Sequence, residues 1–292
     1  MNTRISTTRF VPAMTLTEGA GVTVHRTIGT PALRNLDPFM LLDQFSSDNP
    51  DDYIAGFPSH PHRGFNTFTY MLDGHVEHQD SMGNKGRLGP GSAQWMKAAS
   101  GVIHSEMPRQ ENGLMRGFQL WINLPAAHKM DTPEYQEYDA AAFPVVETPG
   151  YTVKVLIGRF ASAASPIVDE LTDVTYLDVN IQPGGSFSHD LPQENNSFLY
   201  LFEGSGQINT RNLPLNTLVA LGREDNPFSF NTGKNGARFI LISGKPINEP
   251  VVQHGPFVMN TRQEIEQAMQ DFQSNTFVHE RAWVNHRVKG SR

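Results

Sequence analysis

The sequence contains no cysteine in 292 residues. That excludes a disulfide framework, a thiolate metal site and a cysteine nucleophile, and it fits a reducing compartment. Positive charge is also scarce: 23 Lys and Arg stand against 30 Asp and Glu, a formal net charge of −7. With no Lys/Arg run, zinc-finger spacing or recognition-helix pattern, direct nucleic-acid binding is not expected. No stretch approaches the roughly 18 consecutive apolar residues that span a membrane. The leading segment, Met1 to Phe10, lacks the apolar run of a secretory signal. It is Ser/Thr-rich, with Arg4 and Arg9 and no acid before Glu18, which faintly resembles an organelle transit peptide. A plain first strand is the simpler reading. Together these absences point to a cytoplasmic protein.

What is present reads as an all-β chain. There are 25 Gly and 20 Pro, and the apolar runs are short and bounded by turn residues. Val22 to Arg26, Phe68 to Leu72, Met115 to Ile122 and Phe239 to Ile242 are strand candidates. Asp73-Gly74, Met82-Gly83-Asn84 and Gly89-Pro90-Gly91 are turn signals. One helix is expected after Thr261-Arg262-Gln263-Glu264, a capping-box pattern, with Ile265, Met269 and Phe272 as its core-facing stripe. A faint repeat links Phe68-Thr69-Tyr70-Met71-Leu72-Asp73-Gly74 to Phe198-Leu199-Tyr200-Leu201-Phe202-Glu203-Gly204, 130 residues on. A repeat that long implies two similar β-domains rather than a solenoid. The Ala- and Pro-containing stretch from Asp139 to Gly150 is the natural boundary, giving domains 1–138 and 139–292, the second with the terminal helix.

The chemistry-bearing residues are two His clusters, His60-Pro61-His62 and His104-Ser105-Glu106. In a strand, i and i+2 share a face, so each cluster presents two ligand side chains together. Two such strands facing each other across a small barrel would make a metal cage. Three imidazoles and one carboxylate suit a divalent transition metal and leave room for an exogenous ligand. The remaining histidines (His25, His75, His78, His128, His254, His279 and His286) are read as ordinary surface or core groups. Shifting His60 and His62 by the repeat length lands on Asp190 and Pro192, with only His189 nearby. The second domain is therefore expected to be metal-free, with one site per chain.

Several segments resemble the pirin family of bicupins. They are Asp37-Pro38-Phe39, His60-Pro61-His62-Arg63-Gly64-Phe65, Val76 to Asn84, Ser100 to Glu106, Leu120 to Pro125, Glu249-Pro250-Val251-Val252 and Gly255 to Thr261. They run in order over most of the chain. The resemblance implies two antiparallel cupin barrels, face to face, with one metal, usually iron, in the first. Carried over, its ligands are His60, His62, His104 and Glu106. Manganese, nickel, copper, zinc and cobalt are alternatives to Fe(II). Some members cleave the flavonol quercetin with dioxygen; others are described as iron-dependent regulators that dock on transcription factors. Two functions follow. One is a dioxygenase acting on a small aromatic such as a flavonol, with Glu106 as ligand or catalytic base. The other is an iron- or redox-sensing protein that binds a transcriptional or metabolic partner. One departure from the general cupin pattern is Asn66, in a slot that commonly holds glutamate. Arg63 is a candidate partner to the metal ligands, and Phe57 and Phe65 are candidate pocket walls; each could equally be structural.

Overall fold

The structure, a computed structural model, describes residues 8–110, 113–222 and 227–278. The start of the chain through Thr7, His279 and His286 lie outside the described residues. Among the described residues, apart from one helix and three short 3-10 turns, the regular elements are β-strands. The chain forms two compact units, each with its own cupin-type barrel. Among the described residues, one unit comprises Thr15–Arg26, Phe39–Ala141 and residues 249–278; the other comprises residues 8–14, Thr27–Pro38 and Ala142–Asn248.

The first unit holds a seven-stranded sheet in the order Glu134–Tyr138, Ala93–Lys97, Phe65–Asp73, Met115–Asn123, Phe39–Ser47, Val22–Arg26 and Met14–Glu18. A four-stranded sheet, Phe57–His62, Val102–Pro108, Val76–Asp80 and Lys85–Leu88, completes it. The expected turns are where strands reverse: Gly74, Gly83 and Gly91 all take positive φ (80°, 92° and 78°), a region that costs glycine little.

The second unit repeats the same strand order. Thr217–Leu221, Asn196–Ile208, Phe228–Gly244, Thr175–Ile181 and Tyr151–Ile157 lie side by side. They correspond in order to the strands from Ala93–Lys97 through Val22–Arg26. Phe68 stands opposite Trp95 and Leu120; Phe198 stands opposite Ala220 and Ile242. The two phenylalanines thus occupy equivalent places in equivalent strands. The edge beside Thr217–Leu221 is filled by Arg9–Pro12, a strand from the other end of the chain.

The interiors differ where the backbones agree. In the first unit one transverse row, read across the registered strands, runs Glu137, Gln94, Thr69, Gln119, Asp43 and Arg26. The corresponding row of the second unit is Phe10, Val219, Leu199, Leu241, Leu177 and Val155, all in its apolar core. The fold itself therefore accepts a fully hydrocarbon row. Burying polar groups costs free energy unless they are hydrogen-bonded, and in the first unit they are. Asp43 takes both arms of Arg26 at 2.7 and 2.6 Å, and Gln94 and Thr69 serve Glu106, as described below.

The helix is Arg262–Gln273, opened by the expected reciprocal capping box between Thr261 and Glu264. It packs with the N-terminal barrel's unit, not with the C-terminal one in which the sequence reading places it. Ile265 and Ala268 are buried beside Phe257, Met259 and Phe277, with Ile103 against them. Phe272, expected in the core, is 41% exposed; its ring lies 5.7 Å from that of Phe277 in a T-shaped contact. The anchor of this segment is Arg63, only 1% exposed. It donates to Ser100 O, Asp271 Oδ2 and Phe277 O at 2.6, 2.6 and 3.1 Å and lies over the Phe277 ring. Of the two roles open to Arg63, the structure shows the structural one. Lys129 makes a second anchor, donating to Gly64 O and Val258 O at 2.6 and 2.9 Å and to Asn123 Oδ1.

Candidate metal centre

The two His clusters lie on neighbouring strands of the four-stranded sheet, Phe57–His62 and Val102–Pro108, with His104 directly opposite His60 and Val102 opposite His62. They do not face each other across the barrel, as expected from spacing alone. Side chains directly opposite on paired strands start about 5 Å apart, whereas stacked sheets are about 10 Å apart, so adjacency gathers ligands more tightly. A register shift between His104 and Glu106 places Glu106 opposite Phe57.

His60, His62 and His104 bring one ring nitrogen each within 4.8 Å of the others. Their ring centroids are 4.7, 4.3 and 4.9 Å apart. Glu106 belongs to a second, overlapping group with His104 and His78. The four sequence-derived candidates thus meet through His104 rather than as one four-membered cluster. Among the described residues no other group of three His, Asp or Glu side chains comes this close. His189, near Asp190 and Pro192, packs instead beside the Phe160 and Phe187 rings at 5.2 and 6.2 Å.

The residues fit a transition metal on three observations. His60 Nδ1 lies 2.8 Å from Pro58 O; a carbonyl accepts only, so Nδ1 carries the hydrogen and a neutral ring keeps its lone pair on Nε2. That Nε2 is 3.0 Å from His62 Nε2. Two nitrogens bound side by side to one octahedral ion at about 2.1 Å would stand roughly 3.0 Å apart. Finally, His104 Nε2 is buried without a hydrogen-bond partner, an arrangement a protein rarely tolerates unless something else uses the atom.

Two of the imidazoles are also held neutral. Burial drives His62 well below the usual histidine range, and neighbouring His60 adds to this. His104 is lowered for the same first reason, with His62, His60 and His78 contributing. A histidine lowered in the folded state binds fewer protons than in the unfolded chain below about pH 6.5. The metal-free fold should therefore lose stability as pH falls from 6.5, by up to about 1.4 kcal/mol per pH unit for each of the two groups. Urea unfolding at pH 7.0 and 5.5 measures this; equal midpoints at the two pH values would contradict it.

Glu106 is pinned through one oxygen. Gln94 Nε2 donates to Oε1 at 2.7 Å, and Thr69 Oγ1 stands 3.1 Å from the same atom. Tyr135 OH holds Gln94 in turn through its Oε1 at 3.2 Å. Phe65 and Trp121 flank His62, each ring 5.1 Å from the imidazole and 4.4 Å from each other. Phe65 is itself fully buried, in an apolar cluster with Met40 and Val258, while Phe57 packs partly buried against a separate apolar cluster. Asn66 is buried with its Oδ1 unpaired and belongs to neither ligand group.

Three further residues, to which the His clusters alone do not point, join the site: His78, Thr69 and Gln94. His78 is fully buried, stacked on Tyr135 at 4.5 Å and in contact with His104. The signal that could have found it is its own i, i+2 partner Asp80, inside a segment already quoted for the family resemblance. His25, His75, His128 and His254 lie outside both ligand groups.

The fold and site define a class: a two-barrel cupin protein with an imidazole–carboxylate centre in one barrel. Residues 21–122 match the Pirin family model, and residues 176–278 match the Pirin C-terminal cupin domain. The chain belongs to the pirin family. It is 46% identical over 263 residues to a Pseudomonas aeruginosa protein named "Putative quercetin 2,3-dioxygenase", covering 87% of this chain and 92% of that one. Human Pirin is 41% identical over 274 residues, covering 91% and 92%. Among solved structures, quercetin 2,3-dioxygenase from Acinetobacter baumannii superposes with a TM-score of 0.85 at 30% identity, covering 94% of this chain and 98% of that one. No helix among the described residues is long and apolar enough to cross a membrane.

Proposed function

We propose that the protein is a mononuclear metal dioxygenase that opens flavonols such as quercetin with dioxygen, its metal being iron held by His60, His62, His104 and Glu106. The observation that carries this reading is the cluster of three imidazoles, two of them held neutral by burial, beside a hydrogen-bonded carboxylate. The two relatives named for quercetin dioxygenation supply the substrate class.

Bound at this cluster, a divalent transition metal supplies Lewis acidity that makes a hydroxyl beside a carbonyl easier to deprotonate. The chain's own contribution is proton handling and placement. Glu106 accepts the flavonol's 3-hydroxyl proton, and the Thr69 and Gln94 donors at Oε1 stabilise the carboxylate beforehand. Trp121, partly exposed beside His62 and backed by the buried Phe65 ring, offers flat apolar surface for an aromatic ring system. The polar row across the sheet keeps the Glu106 carboxylate in one orientation.

Metal analysis combined with a quercetin absorbance assay tests the proposal. Purified protein should hold one equivalent of metal per chain, and none should be lost when His189 is replaced by Ala. His62→Ala should empty the site and abolish flavonol consumption and oxygen uptake. Two equivalents per chain would contradict the single site. Protein that binds iron, manganese, nickel or copper yet is inert toward every flavonol would favour the iron- or redox-sensing partner protein instead.

A further inference from the structure

The segment Val76 to Asn84 carries chemistry that the proposed reaction leaves unused. His78 and Asp80 share a face of the Val76–Asp80 strand, which pairs antiparallel with the Val102–Pro108 strand so that Asp80 stands opposite His104 and His78 opposite Glu106. His78 Nε2 lies 3.2 Å from Asp80 Oδ2, and His78 Nδ1 lies 3.4 Å from His104 Nδ1. All three side chains are buried: His78 and Asp80 expose none of theirs, and His104 is 1% exposed.

The direction of these bonds can be read from the far end. Asp80 accepts from the backbone N–H of Met82 and of Asn84 at 2.9 Å each, through Oδ1, and from Asn84 Nδ2 at 2.9 Å, through Oδ2. A carboxylate so surrounded by donors acts only as an acceptor. His78 must therefore carry its hydrogen on Nε2, and the neutral ring keeps its lone pair on Nδ1. His104 Nδ1 is then the donor to that lone pair, which leaves the His104 lone pair on Nε2. That nitrogen is the buried one with no protein partner. Reversing the chain would put a hydrogen on His104 Nε2, a buried N–H with nothing to receive it, which is costly.

We propose that Asp80 and His78 are positioning residues that fix the tautomer and orientation of His104, so that its Nε2 is presented to the metal as a ready lone pair. The inference rests on the metal reading of His60, His62, His104 and Glu106. Tyr135 holds the relay in place by stacking on His78, the planes 19° apart. Groups of this kind behind a ligating histidine typically change metal affinity by about 10- to 100-fold. The geometry also explains why this strand keeps a His-x-Asp pair inside the barrel rather than two apolar residues.

Two measurements on the full chain test it. In metal-free protein, long-range proton–nitrogen NMR of the imidazoles should show His104 hydrogen-bearing at Nδ1. Asp80→Asn keeps size and the Oδ1 acceptor for the Met82 and Asn84 backbone N–H groups, but puts an amide N–H in place of Oδ2. That loses the Asn84 Nδ2 bond and faces His78 Nε2 with a donor that can flip the relay. Cobalt(II) binding, followed by its visible spectrum and by competition with a chromophoric chelator, should weaken by about 10- to 100-fold in Asp80→Asn and in His78→Phe. His78→Phe retains a ring to stack on Tyr135. Because both act through one chain, the double variant should bind no more weakly than the weaker single variant. His104 found hydrogen-bearing at Nε2, unchanged cobalt affinity and spectrum in both variants, or losses that multiply in the double variant would each overturn the relay. Wild-type protein that binds no cobalt, with His104 hydrogen-bearing at Nδ1, would instead sink the metal reading.

Discussion

Glu106→Gln is expected to keep its metal and lose most of its turnover, about a hundredfold to ten-thousandfold. The range is that of proton abstraction by a positioned base. Gln replaces one carboxylate oxygen by an amide nitrogen, yet keeps an oxygen that can accept from Gln94 Nε2 and Thr69 Oγ1, now at 2.7 and 3.1 Å. The side chain is therefore held where Glu106 is, while its charge and nearly all its basicity are gone. Steady-state flavonol consumption measured beside iron content separates the two effects. A fall in turnover that only tracked a fall in iron would make Glu106 a ligand and nothing more. Full iron with full turnover would remove it from the chemistry altogether.

Gly64→Ala is expected to be the most damaging single methyl group that can be added near the site. Gly64 follows the His60-Pro61-His62-Arg63 run with φ of +91°, a conformation that costs a non-glycine residue about 1–3 kcal/mol. A Cβ there would also lie 2.0 Å from the Val258 carbonyl oxygen. Overpacking of a tight interior costs a further 1–3 kcal/mol or so, because this neighbour is backbone and cannot rotate away. The same carbonyl holds Lys129 Nζ at 2.9 Å, so displacing it disturbs that anchor as well. Urea unfolding should show a loss of about 2–6 kcal/mol. Hydrogen exchange should rise first in the 257–277 segment. A variant with wild-type midpoint and protection there would show that the contact is soft.

The metal candidates were legible because their chemistry repeats at the strand period. His60 with His62, and His104 with Glu106, announce themselves as pairs without any partner being known. His78 was only half legible: its i, i+2 pairing with Asp80 shows in the sequence, but its contact with His104 depends on antiparallel register rather than on spacing. Thr69, Gln94 and Gln119 were hidden for a different reason. Polar residues alternating with apolar ones along a strand read as a solvent face, yet Thr69 and Gln94 are 3% and 0% exposed. The Phe65–Asp73 strand is buried on both faces at all but its last residue, so alternation there no longer tells inside from outside. Arg63 could not be assigned from sequence because its carboxylate partner, Asp271, is 208 residues away. The doubled fold, by contrast, was visible in a single repeated heptapeptide, since Phe68 and Phe198 each sit at the centre of the equivalent strand.

The exchange of terminal segments bears on how the chain is made. The barrel built first by the ribosome contains the His clusters, but Arg63 lacks its carboxylate until Asp271 emerges, and the Ser100 and Gly101 turn lacks Phe277. The barrel built second takes its edge strand, Arg9–Pro12, from the earliest described part of the chain. Neither barrel is a unit of synthesis. A gene cut between codons 141 and 142 would yield two fragments, one missing its edge and the other its clasp. Supplied together, they hold every piece that each barrel requires.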